Sequence, residues 1–318
     1  MPHDDSSVRL AVSSCLLGNA VRYDGGHRYN AYVAETLARH CELLAFCPEV
    51  AIGLGTPRPP IRLVRVEGSV RVRGVDDSTR DVTEALSAHG REVANGLRDV
   101  SGYVFKKGSP SCGVTGVPIF GPTGQPLDSG PGRYAAAIMA QLPALPVVDE
   151  AQLCVPVQRD NFIQRVFVYQ RWQQMRAAGL SAAGLVAFHS RHKFIIAAHD
   201  EPAYRRLGRL VGSAGSGQLQ TLAPEYLLLL MQSLQKPATP KQHANVLMHL
   251  MGFIKHQLSH EEKAELLALI DDYRREQIPW LVPVTLLRHF LQRYPNEYLS
   301  AQYYLNPHPT ELLLRNQA

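Results

Sequence analysis

The chain has 318 residues, 45% of them hydrophobic and 19% charged, which fits two packed domains and excludes general disorder. The longest aliphatic run near Tyr226, Leu227 to Met231, falls far short of the roughly 18 residues of a membrane span, and the acidic start Met1-Pro2-His3-Asp4-Asp5 lacks the basic and apolar regions of a signal peptide. Residues 1–150 carry 15 Lys and Arg against 16 Asp and Glu, but residues 151–318 carry 18 against 12, so the second part fits either an anionic partner or a basic surface kept for solubility.

Val8, Leu10 and Val12 alternate in a strand ending at Ser13-Ser14-Cys15, and Tyr32, Val33, Leu37 and Ala38 have helical spacing. Leu43-Leu44-Ala45-Phe46 reads as a buried strand running into Cys47-Pro48-Glu49, with Cys41 at the end of the preceding helix. Residues 61–73 alternate as a hairpin turning at Glu67-Gly68. A helix over about 80–98, a strand at Tyr103-Val104-Phe105, a helix near 133–142 and a strand at Leu145–Val148 complete this half. Strands spaced by helices predict an α/β fold, with a mostly parallel, Rossmann-like sheet covered by helices on both faces.

The second half reads as all-α. Asp160 is placed as a helix cap before Phe162, Val166 and Tyr169, with Gly179 at that helix's end. Thr239-Pro240 opens a helix with the stripe Ala244, Leu247, Met251, Ile254 and Leu258. Ser259 and Glu262 match a capping box, Pro283 opens a further helix and Tyr294-Pro295 closes it. Gly212–Gly217 is a loop. The division falls near 150–160, giving domains at 1–155 and 156–318.

Five cysteines without a CxxC pair suit thiols or metal ligands in a reducing cytoplasm rather than a disulfide framework. Cys15, Cys47 and Cys112 each follow a predicted strand, and loops at the carboxyl ends of parallel strands share one edge; Cys41 and Cys154 do not join them. Burial as a small hydrophobe is the ordinary use of a lone thiol, but three in equivalent positions favour a shared site. Three thiolates with no consistent fourth ligand suit a cubane iron–sulfur cluster with one open iron better than a closed zinc site. Glu49, Asp24, Ser109 and Ser111 are placed either to move protons and bind substrate or to cap and turn loops. Lys106 and Lys107 either hold a phosphate or end a strand in solvent.

Ser13-Ser14-Cys15-Leu16-Leu17-Gly18 with Arg22-Tyr23-Asp24-Gly25, Cys47-Pro48-Glu49, and Lys107-Gly108-Ser109-Pro110-Ser111-Cys112-Gly113 resemble the thiouracil desulfidase (TudS) domain. The resemblance covers about residues 8–155. It implies a [4Fe-4S] cluster on Cys15, Cys47 and Cys112 with one open iron, and removal of sulfur from a thiolated pyrimidine. Glu49 would assist, together with Ser109 in preference to Ser111, while Asp24, Ser111 and Lys107 would meet the substrate. Asn245–Phe253, Ile278-Pro279 with Val282-Pro283, and Gln302–Leu305 with Glu311-Leu312 resemble a helical domain often fused to it. The fused form resembles the RudS desulfidases of 4-thiouridine in tRNA, implying that the helical domain binds RNA, with no membrane and no obligate protein partner.

Arg191, His192 and Lys193 after a helix, and Lys255 and His256, either contact RNA phosphates or form a solvated helix face, which is the commoner use of each. His249 reads as a core histidine, and Trp172, Tyr303 and Tyr304 as core aromatics rather than base-stacking platforms. Two other functions stay open: desulfidation of free thiouracil or thionucleosides, and a non-catalytic RNA-binding iron–sulfur protein.

Overall fold

The computed structural model describes residues 8–215 and 217–308, in two units that divide between Cys154 and Val155. In chain order the first unit contains β1 (Val8–Ser13), β2 (Cys41–Phe46), α1 (Pro48–Ala51), β3 (Ile61–Val66), β4 (Ser69–Gly74), α2 (Thr83–Gly96), β5 (Gly102–Phe105), β6 (Val117–Phe120), β7 (Pro126–Gly130), α3 (Arg133–Gln141) and β8 (Val147–Asp149). Four strands form a parallel sheet in the order β2-β1-β5-β8. Its central strands are apolar on both faces: Leu10, Ala11, Val12, Tyr103, Val104 and Phe105 are all fully buried, as expected where elements pack above and below a parallel sheet. Helices α2 and α3 meet at Gly90, where a β-carbon would lie 2.8 Å from that of Ala137.

The remaining strands make a second sheet that the alternating pattern did not foreshadow. Its order is β4-β3-β6-β7, with an antiparallel hairpin at each end and β3 parallel to β6 between them. The expected hairpin at Glu67-Gly68 is present, with Glu67 and Gly68 both at positive φ. Residues 32–39 form a π turn followed by a 3-10 turn, and Cys41 opens β2 rather than ending a helix.

The second unit comprises α4 (Pro156–Ala177), α5 (Ala182–His199), α6 (Glu201–Gly212), α7 (Leu219–Ser233), α8 (Pro240–Ile254), α9 (His260–Arg274), α10 (Leu281–Arg293) and α11 (Glu297–Ser300). The expected capping box of Ser259 with Glu262 forms, and the helix opened at Thr239-Pro240 has one too, Thr239 with Gln242. Trp172 stacks on Tyr226 at 5.6 Å and meets the edge of Phe188 at 5.4 Å, so this aromatic cluster is core.

Four placements are corrected. Asp160 lies inside α4, because Pro156 starts the helix a turn earlier. Arg191, His192 and Lys193 sit within α5, since the apolar stripe continues through Phe194, Ile195 and Ile196. Pro283 is the third residue of α10, after Leu281 and Val282. His249 is exposed, lying away from the Ala244, Leu247, Met251 and Ile254 stripe, while His243 is the buried histidine of α8. No helix among the described residues is long and apolar enough to cross a membrane. The residues Met1–Asp5 and Glu311-Leu312 lie outside the described residues.

Candidate functional site

The carboxyl ends of β1, β2 and β5 deliver Cys15, Cys47 and Cys112 to one cavity of about 410 Å³. Cys15 sits in the 3-10 turn directly after β1, and Gly18 ends that turn in the left-handed conformation. Cys47 precedes α1, whose Pro48 sets the first helical turn. The Cys112 loop is tied by Ser109, whose Oγ accepts the backbone N–H groups of Ser111 (3.2 Å) and Cys112 (3.0 Å). Two glycines permit this loop: a β-carbon on Gly132 would lie 2.6 Å from the Ser111 backbone, and one on Gly113 would lie 2.9 Å from the Ser109 carbonyl oxygen. Cys41 is buried at the far end of β2, and Cys154 is exposed.

The three thiols feel one another electrostatically. Burial raises Cys15 to about 11, although Arg22 and Lys106 pull it down. Burial also pushes Cys112 well above the ordinary thiol range, reinforced by Glu49, Cys47 and Cys15. A metal group binding here must therefore displace protons from Cys15 and Cys112. Among the described residues no three His, Cys, Asp or Glu side chains converge tightly enough to hold one ion. Three soft donors lining one cavity are the donor chemistry that an iron–sulfur cluster takes.

Glu49, on α1, lines the same cavity and is only 12% exposed. Its Oε2 accepts from Arg58 Nε and Nη2, both at 2.8 Å, and its Oε1 accepts from Ser111 Oγ at 2.8 Å. The two serines thus differ. Ser109 lines the cavity, and its two accepted bonds leave its own proton for another partner; Ser111 is fully buried behind the cavity and spends its hydroxyl on Glu49.

Lys107 lines the cavity, whereas Asp24 and Ser111 do not. Asp24 instead takes the Gly26 N–H and pairs with Arg22 (3.4 Å) and Arg28 (3.8 Å), two cations that do line it. The Gly26 hydrogen bond and these arginines hold Asp24 below the usual carboxylate range. Lys106 pairs with Glu150 just beyond β8, and Glu150 also accepts the Lys107 N–H at 2.6 Å. Sequence reasoning quoted Arg22 in a motif without giving it a role, and missed Arg58 and Glu150. Arg58 had one local signal, its place between prolines in Thr56-Pro57-Arg58-Pro59-Pro60.

In the helical unit, Arg191 and Lys255 are exposed. Lys193 lies over the rings of Tyr298 (4.6 Å) and Phe194 (4.8 Å), and His192 is fully buried. Tyr304 is buried, and Tyr303 packs beneath the Arg171 guanidinium at 3.8 Å.

Residues 10–150 match the 2-thiouracil desulfurase family, and residues 193–309 match a domain of unknown function, DUF1722. The chain is 34% identical to the uncharacterized protein YbgA of Escherichia coli, over 49% of this chain and 94% of that protein. It is 31% identical to the uncharacterized protein YbbK of Bacillus subtilis, over 33% of this chain and 72% of that protein. A solved [4Fe-4S]-dependent thiouracil desulfidase, TudS, is 35% identical, covering 46% of this chain and 93% of its own, with a TM-score of 0.36. The chain belongs to the 2-thiouracil desulfurase family through its α/β unit and carries a DUF1722 domain in its helical unit.

Proposed function

We propose that the protein is an iron–sulfur desulfidase that converts 4-thiouridine in tRNA to uridine, water oxygen replacing sulfur and sulfur leaving as hydrosulfide. The observation that carries this reading is that the three strand-end thiols and Glu49 line one cavity. Cys15, Cys47 and Cys112 would hold a [4Fe-4S] cluster, which supplies an open iron with affinity for the thiocarbonyl sulfur. Glu49, oriented by Arg58 and Ser111, receives a proton from the attacking water. Ser109 would offer its hydroxyl as a hydrogen-bond donor to the thiolated base and keep its proton; the protons released by water pass through Glu49 and leave with the sulfur or to solvent. The oxidation state of the pyrimidine carbon does not change, so no external reductant enters the balance.

Two features support tRNA over a free base. The helical half carries the basic excess, 18 Lys and Arg against 12 Asp and Glu, and the cavity is lined by Arg22, Arg28, Lys106 and Lys107, besides the Arg58 already held by Glu49, with Glu49 as its one lining carboxylate among the described residues. Phosphate contacts make binding fall steeply with salt. Sulfide release from bulk tRNA should therefore drop sharply between low and moderate ionic strength. Release from free 4-thiouracil at equal concentration should be slow and salt-insensitive. Faster turnover of the free base, unaffected by salt, would move the substrate assignment to thiobases. Bound tRNA with no sulfide released by cluster-loaded protein would favour a non-catalytic RNA-binding role.

A further inference from the structure

The structure assigns to Arg58 a positioning role: it aims the Glu49 carboxylate at the cavity and locks that carboxylate to the loop carrying Cys15. The inference rests on the reading of Glu49 as the proton acceptor.

The Arg58 guanidinium is spent entirely on geometry. Its Nε and Nη2 converge on Glu49 Oε2 at 2.8 Å each. Its Nη1 donates to the carbonyls of Gly55 (2.7 Å) and Val21 (3.0 Å), and its backbone N–H donates to the Tyr23 carbonyl at 2.9 Å. Val21 O also lies 3.7 Å from Cys47 Sγ. One side chain therefore joins the 15–28 loop, the Cys47-Pro48-Glu49 turn and its own loop. Ser111, on Glu49 Oε1, extends the tie to the Cys112 loop. With a side chain only 4% exposed, Arg58 has little access to solvent, which fits an orienting role better than substrate capture.

A planar fork is needed for this pattern. Lysine places one compact charge and cannot reach Glu49 and two carbonyls in fixed directions. Misplacing a reacting group by about 1 Å costs on the order of 100-fold in rate. Arg58→Ala should then lower kcat on 4-thiouridine tRNA about 100-fold, with KM and iron content near wild type. Arg58→Lys should recover a minor part of the loss. Added guanidinium should raise kcat of Arg58→Ala but not of Glu49→Gln, because only the first retains the carboxylate to be oriented.

A double-mutant cycle of Arg58→Lys and Glu49→Gln on thermal unfolding of cluster-free protein supplies a readout independent of activity, and remains available if Arg58→Ala does not fold. Coupled losses of stability support the tie, and additive ones contradict it. Full kcat in Arg58→Lys and Arg58→Ala beside an inactive Glu49→Gln would overturn the positioning role. Full kcat in Glu49→Gln would instead overturn the underlying reading of the reaction.

Discussion

Ser109 and Ser111 stand two residues apart, yet their surroundings give them different work. Ser109 borders the cavity as an acceptor of two backbone N–H groups, while Ser111 is wholly buried with its hydroxyl on Glu49. Ser109→Ala should lower kcat about 100-fold, at the lower end of general acid–base effects, and should also cost about 1 kcal/mol in stability, because the Ser111 and Cys112 N–H groups lose their acceptor. Ser111→Ala should cost about 2 kcal/mol in stability, since a hydrogen bond to a charged group is lost. Equal effects of the two substitutions on both quantities would contradict the distinction, and kinetics with calorimetry on the two variants would show it. From sequence alone the serines could not be separated, because a non-periodic loop does not reveal which hydroxyl faces inward. The cysteines were legible for the opposite reason: each follows a strand, and the ends of parallel strands share an edge. Beyond its flanking prolines Arg58 gave no sign of its role, because its partners, Val21, Tyr23 and Glu49, meet it only through the path of the loops.

At the scale of elements, strong local chemistry was readable and weak chemistry was not. Thr239-Pro240 and Ser259 with Glu262 marked helix starts because side chains there satisfy otherwise open N–H groups. Strands β6 and β7 left little trace: they are short, contain Pro118 and Pro126, and β7 exposes Leu127, Asp128 and Ser129. Arg191-His192-Lys193 imitated the basic end of a helix, but the apolar stripe of α5 runs on beyond it. This helix should be acid-sensitive. Burial, with a smaller contribution from Lys193, lowers His189 to about 4, and burial with Arg171 lowers His192 well below the ordinary histidine value. The unfolded chain therefore takes up protons first as pH falls below about 6.5. Their stabilisation is complete above that pH and is lost progressively as pH falls through 4. Urea unfolding followed by circular dichroism should show this decline, shallower in His189→Gln; equal slopes in wild type and variant would contradict it.

For the whole molecule, the two units divide the chemistry as their compositions suggest. The α/β unit holds the thiols, Glu49 and the cavity, and the helical unit holds the basic excess. The fold class followed from alternation of strands and helices in one half and helical spacing in the other. The second sheet did not, because a hairpin's pattern specifies its own pairing and not the sheet it joins. The most direct test of the central claim uses anaerobically prepared, cluster-loaded protein with bulk tRNA, following the 4-thiouridine chromophore and released sulfide together. Matched loss of chromophore and gain of sulfide, abolished by Cys112→Ala, is the predicted result. An unchanged chromophore with the cluster intact, or equal sulfide release by Cys112→Ala, would contradict it.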